Sequence, residues 1–160
     1  MSASPIVDQL VEAWMINNRV NLLLLANLDQ AGLECTLSTR GGRTVGQQLA
    51  HVYGVRRSWV EVADKKLLAE MPPIDREQGH EKKLLIDGFS HSAKVLPRFI
   101  SDSATNGGTV RGFKKGIVPL VGYMIAHEAH HRGGILLTLK QSGFKLNDQL
   151  KWGIWDWQKL

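Results

Sequence analysis

Apolar residues recur at spacings of three and four in four long stretches of the chain, which is the pattern of one face of an α-helix. The polar pair Asn17 and Asn21 interrupts that face in the first stretch. The predicted helices cover residues 5–28, 44–69, 75–103 and 118–142. Little of the chain shows a strand pattern, so the prediction is an all-α fold, most naturally a four-helix bundle.

Local signals mark where these helices begin and end. Thr44 and Gln47 fit a capping box, in which each side chain bonds the backbone N–H of the other residue. Gly143 suits the left-handed position after the last helix, and Phe144 follows it to pack back. Pro97 removes a backbone hydrogen bond inside the third helix and should kink it.

Length and composition favour one globular domain over residues 1–160. Hydrophobic residues make up 43% of the chain and charged residues 22%, as in soluble proteins. No apolar run is long enough to cross a bilayer, and the first residues lack the pattern of a secretory signal. Cys35 is the single cysteine, which excludes an intrachain disulfide. We therefore expect a cytoplasmic protein with no membrane contact.

The net charge of +5 raises the question of nucleic-acid binding. The basic residues are scattered, mostly as doublets, and no run of five or six occurs. A solvated surface explains this distribution better than a binding stripe does, so nucleic acid is not an expected partner.

The end of the chain is unusually aromatic. Trp152, Trp155 and Trp157 lie within six residues of one another. Such a segment is predicted to cover an end of the helices or the surface of a partner, because exposed aromatic clusters are rare in monomers.

The stretch AHEAHHRGG, residues 126–134, carries the candidate chemistry. His127 and His131 are one turn apart, and we predict that both point into the bundle on a stripe shared with Leu120, Met124 and Ile135. His130 is rotated away from them. Glu128 also falls off this stripe and is predicted to pair with Arg132 at i, i+4.

Two histidines hold a metal ion poorly, so the position of a third ligand decides between alternatives. The stretch contains H-E-x-x-H, a metalloprotease signature, but Leu137 stands where the extended signature has its third histidine. His51 instead borders the apolar face of the second helix, so the second and fourth helices can bring His51, His127 and His131 together. Three separately hydrogen-bonded core histidines are the alternative, at a desolvation cost for each.

Two motifs resemble those of the DinB/YfiT-like metalloenzyme family. QQLAHV, residues 47–52, is similar to the first histidine motif of that family, and HEAHHRG, residues 127–133, to the second. The ending WGIWDW, residues 152–157, is also similar. Gly134 departs from the glutamine common after the second motif, but that position is not a ligand, so only the shape of the pocket is affected.

The resemblance implies a four-helix bundle with up-down-down-up connectivity and a divalent metal held by His51, His127 and His131. It also implies frequent homodimerisation and thiol-dependent transfer or isomerisation. Three neutral imidazoles suit Zn²⁺ or Ni²⁺ and leave the ion a strong Lewis acid. We therefore expect a small-molecule substrate, with a low-molecular-weight thiol as candidate co-substrate.

Two other roles remain open at this stage. Metal-bound hydroxide could hydrolyse the substrate, or the metal could only stabilise a non-catalytic dimeric bundle. No catalytic base is identified, because the pair with Arg132 is favoured for Glu128; a role in support of the metal ligands or in catalysis is the alternative. Asn17 and Asn21 either line the pocket or bond to each other or to water.

Overall fold

The computed structural model describes residues 4–38 and 40–160, and the regular structure of this part of the chain is helical. It confirms the prediction of an all-α fold. The helices are α1 Pro5–Ala26, α2 Gln30–Glu34, α3 Val45–Ala63, α4 Lys65–Leu68, a 3₁₀-helix Arg76–His80, α5 Lys82–Thr105, α6 Ile117–Gln141 and α7 Asp148–Gly153.

The predicted end signals of α3 and α6 are present. The Thr44 hydroxyl accepts from the Gln47 N–H at 3.2 Å, and the Gln47 side-chain oxygen accepts from the Thr44 N–H at 3.1 Å. Gly143 has φ +77°, and the Phe144 N–H donates to the Leu139 carbonyl at 2.9 Å. These bonds satisfy backbone groups that a helix end would otherwise leave without partners.

The predicted second helix is shorter than expected. It ends at Ala63 because Asp64 is extended, with φ −148° and ψ 101°, and its carboxylate accepts from the N–H groups of Lys66 and Leu67. Asp64 is therefore the N-cap of the separate helix α4.

The predicted third helix begins later than expected. Residues 76–80 form the 3₁₀-helix, and α5 starts at Lys82. From there α5 continues through Pro97 to Thr105.

Four helices of 19 to 25 residues, α1, α3, α5 and α6, supply most of the core. The end of α1 lies against the start of α5, where the Lys82 ammonium donates to the Leu28 carbonyl at 2.5 Å. The start of α1 lies against the start of α6, where Leu10 and Ile117 line one cavity. Fully buried apolar side chains join these helices, among them Trp14, Leu25, Leu49, Tyr53, Phe89, Leu96, Leu120 and Ile135.

The aromatic end of the chain is only partly docked. Leu150 of α7 is buried, whereas Trp152, Trp155 and Trp157 are 71%, 75% and 50% exposed. The segment therefore covers the other helices through Leu150, and the alternative, a surface for a partner, stays a prediction.

Within the described ranges, every helix is too short or too polar to cross a bilayer.

Candidate metal centre

Three histidines from two helices converge on one point. His51 lies on α3, and His127 and His131 lie one turn apart on α6. Their ring centroids are 4.6 to 5.4 Å apart, and one nitrogen of each ring lies within 4.8 Å of the other two. The convergence predicted from the two motifs is therefore present.

The depth of the cluster differs from the prediction. All three imidazoles are half-buried and so do not lie in the fully buried core. The inward position of α6 between His127 and His131 is occupied by Glu128, which is 1% exposed. The cluster is therefore partly accessible to solvent.

Aromatic rings lie next to the histidines on one side of the cluster. Tyr123 stacks on His127 with 6.0 Å between centroids. Trp59 meets Tyr123 edge to face at 5.9 Å and Phe113 at 5.4 Å. A molecule bound at the histidines would therefore have an apolar, aromatic wall on one side.

Burial keeps the imidazoles neutral. Desolvation is the main cause that lowers the pKa of His51 and of His127, and it lowers the pKa of His131 to about 4. The positive charge of Arg43 lowers the pKa of His51 and His131 further. At neutral pH each ring thus has a lone pair available, as metal binding requires.

The donor set fits a divalent ion such as Zn²⁺. Imidazole nitrogens bound to one zinc ion at about 2.0–2.1 Å lie roughly 3.4 Å apart in a tetrahedral arrangement. The observed separations of up to 4.8 Å need only small side-chain rotations to reach it. The Nδ1 atom of His127 is buried without a hydrogen-bond partner, which is costly for a polar atom unless something else binds it.

A buried ion pair lies directly behind the cluster. The Arg56 Nε and Nη2 atoms donate to Glu128 Oε1 and Oε2, each at 2.7 Å. Both side chains are at most 2% exposed. The predicted surface pair of Glu128 with Arg132 is therefore wrong, because Glu128 turns into the core.

Two asparagines complete the environment of this carboxylate. The side-chain amides of Asn17 and Asn21 donate to Glu128 Oε2 at 2.7 and 2.6 Å, and their oxygens accept from Arg132 at 2.7 and 3.1 Å. The Asn21 amide also donates to the Asn17 backbone carbonyl at 3.1 Å, so the expected bond between the two asparagines is present, in addition to their contacts with Glu128 and Arg132. With both oxygens occupied, Glu128 is not placed to act as the general base of a zinc protease.

The guanidinium of Arg56 is enclosed as fully as its partner. Its Nη1 atom donates to the Ser92 hydroxyl at 2.6 Å and to Asn18. Its Cζ atom lies 4.8 Å from the ring centre of Trp14 and 4.4 Å from that of Phe89. Arg56 thus links α3 to α1, α5 and α6 at one point.

A family model described as the DinB family matches residues 1–147. The chain belongs to the DinB family. This match spans both histidine motifs and ends before the aromatic segment at residues 152–157. No curated protein and no solved structure matches the chain significantly.

The buried network of this DinB-family protein was missed by the sequence interpretation. The sequence does indicate this network, because polar residues stand at positions where the helical spacing predicts buried apolar ones. Arg56 stands four residues after Val52 and four before Val60, which are both buried, and Glu128 stands four after the buried Met124. Asn17 and Asn21 carry the same signal on α1.

The other histidines lie outside the cluster. The ring of His130 is exposed, and its centroid is 5.6 Å from that of His131. His80 ends the 3₁₀-helix, where its Nδ1 is 2.6 Å from the Glu77 carbonyl oxygen. His91 is half-buried on α5. The prediction that His130 is peripheral is confirmed.

Proposed function

We propose that this DinB-family protein is a metal-dependent enzyme that acts on a small molecule, with His51, His127 and His131 as ligands. The observation that carries the proposal is the convergence of three imidazole nitrogens within 4.8 Å. Zn²⁺ and Ni²⁺ are the ions proposed, because both suit imidazole ligands. The reaction class proposed is thiol-dependent transfer, or hydrolysis as its alternative.

Three protein ligands and a half-exposed cluster match the arrangement of catalytic rather than structural metal sites, which keep one position free. When bound, a divalent ion would act as a Lewis acid and lower the pKa of a thiol or a water molecule to near neutrality. Tyr123 stacks on His127, and Trp59 meets Tyr123 edge to face, so aromatic rings flank one side of the cluster.

We also propose that α1, α3, α5 and α6 form the four-helix bundle with up-down-down-up connectivity. Asn21 contacts Arg132 while Leu10 lies by Ile117, which supports parallel α1 and α6. The contact of Lys82 with Leu28 supports an antiparallel α1 and α5.

The direction of α3 follows from its two neighbours. His51 contacts His131 and Trp59 contacts Tyr123, which supports an antiparallel α3 and α6. Arg56 contacts Ser92 on α5. Farther along, Ala63 and Phe99 line one cavity, which supports a parallel α3 and α5.

Metal analysis of purified protein tests the ligand set. We expect about one equivalent of metal in the parent protein and loss of that metal in the His127→Ala/His131→Ala double variant. His130→Ala is the matched control from the same helix and should keep its metal. Full loading of the double variant would refute the ligand assignment.

The alternative role, a metal that only stabilises a dimeric bundle, is favoured by the exposed Trp152, Trp155 and Trp157. Cobalt-substituted protein distinguishes the two roles. If the fourth position is open, addition of a small thiol should produce a sulfur-to-cobalt charge-transfer band. A spectrum that no thiol or anion changes would indicate a closed, structural site.

A further inference from the structure

A cavity adjoins the histidine cluster along α3. Its volume is about 410 Å³, and His51 lies in its wall. Three arginines, Arg43, Arg57 and Arg76, line it together with the uncharged polar residues Gln47 and Ser58. No acidic residue of the described chain lines this cavity.

The three arginines differ from others in the molecule in lacking a counterion. Within residues 4–38 and 40–160, Arg43, Arg57 and Arg76 have no carboxylate within 4.0 Å, whereas Arg56 and Arg98 each pair with a glutamate. Guanidinium groups that share one cavity without a carboxylate repel one another, and an anion would relieve that repulsion.

Each arginine comes from a different segment held in place by the fold. Arg57 lies on α3, and its Nε atom donates to the Met71 carbonyl at 2.7 Å, which leaves its two amino groups for another acceptor. Arg76 begins the 3₁₀-helix. Arg43 directly precedes Thr44, the N-cap of α3.

We propose that this cavity binds an oxyanion group, a carboxylate or a phosphate, of the small-molecule substrate and directs the remainder of that substrate to the metal at His51. Guanidinium groups bind both oxyanions through paired, charge-assisted hydrogen bonds. The assignment of this group to a substrate rests on the proposed metal-dependent function. The binding of the anion does not, because none of the three arginines is a proposed metal ligand.

Anion binding to metal-free protein at low ionic strength tests the cavity. The probes are inorganic phosphate and succinate, with succinamide as the neutral analogue, and the readout is a titration by NMR or calorimetry. We expect one of the two anions to bind and succinamide not to bind. Whichever anion binds more tightly identifies the group, and affinity should fall as salt is added.

The decisive variant is Arg43→Gln/Arg76→Gln, since both side chains are exposed and should not be needed for folding. We expect affinity to fall roughly tenfold for each guanidinium removed. Arg111→Gln/Lys114→Gln removes the same charge from the loop before α6 and should leave affinity within about twofold.

Three results would overturn the proposal: no anion binding at millimolar concentration, equal binding of succinamide, or equal losses in the two double variants. The metal content of each variant is measured in parallel. Parent protein that takes up a full equivalent of metal, but binds neither anion in its metal-free form, refutes only the cavity. An anion bound by a protein that takes up no metal refutes only the metal centre.

Discussion

Arg56 and Glu128 form a buried ion pair, joined by two hydrogen bonds of 2.7 Å, directly behind the three histidines. Arg56 lies five residues after His51 on α3, and Glu128 lies between His127 and His131 on α6. The pair therefore fixes the two helices that carry the proposed ligands in one register and one rotation.

Glu128→Gln should strongly destabilise the protein. The variant leaves the Arg56 guanidinium buried without a counter-charge, and loss of one partner of such a pair costs about 3–5 kcal/mol. Urea denaturation of metal-free protein measures this change in the free energy of unfolding. Glu12→Gln, which removes the exposed pair with Arg19, is the control and should cost less than about 1 kcal/mol. Equal effects in the two variants would contradict the role of the buried pair.

Metal should stabilise the folded protein, because the proposed site exists only when α3 and α6 are packed together. At a free concentration of 100 times Kd, the gain is about 2.7 kcal/mol. Thermal melts with and without Zn²⁺ measure it. His51→Ala should abolish most of the gain, whereas His80→Ala, outside the cluster, should retain it. A gain that persists in His51→Ala would place the stabilising site elsewhere.

The histidine convergence could be predicted from sequence because it needs only two motifs and helical geometry. The rotation of each helix about its own axis could not be predicted from these features. On α3, apolar spacing predicts that Val55 and Val62 lie on the buried side, yet Val55 is half-buried and Val62 is 42% exposed, whereas Arg56 is buried. If charged residues are assumed to lie on the surface, the buried face of α3 is predicted about one residue away from where it lies.

The same assumption produced the incorrect prediction that the histidines of α6 point into the core. With Glu128 assigned to the surface, His127 and His131 took its place on the inward stripe. The carboxylate is buried because Arg56, Asn17 and Asn21 together satisfy it, and those partners are far apart in sequence. Periodicity alone carries no information on such a tertiary network.

Acid should destabilise the metal-free protein through the cluster. Burial lowers the pKa of His131 to about 4, below the value of about 6.5 in an unfolded chain. The unfolded state therefore binds protons more readily, so the free energy of unfolding falls as pH decreases from about 6.5 to 4. Denaturation across this range should show a shallower decline in His131→Gln than in the parent. Parallel profiles in the two proteins would contradict the lowered pKa.

Backbone contact between α3 and the 3₁₀-helix sets the position of Arg76. A Cβ atom at Gly46 would lie 2.7 Å from the carbonyl carbon of Gly79 and closer still to its oxygen. Gly46→Ala should therefore push the 3₁₀-helix away from α3, at a cost of roughly 1–3 kcal/mol from overpacking.

Gly122→Ala is the control for that substitution, because Gly122 is an exposed helical glycine whose Cβ would meet no atom within 4 Å. It should stabilise the protein by about 0.5–1 kcal/mol, the usual gain for glycine to alanine in a helix. Denaturation of both variants measures the difference. Phosphate or succinate titration of Gly46→Ala should in addition show weaker binding, since Arg76 moves with the 3₁₀-helix. Unchanged stability of Gly46→Ala would mean that the two segments separate readily, and the cavity would then lack a fixed wall.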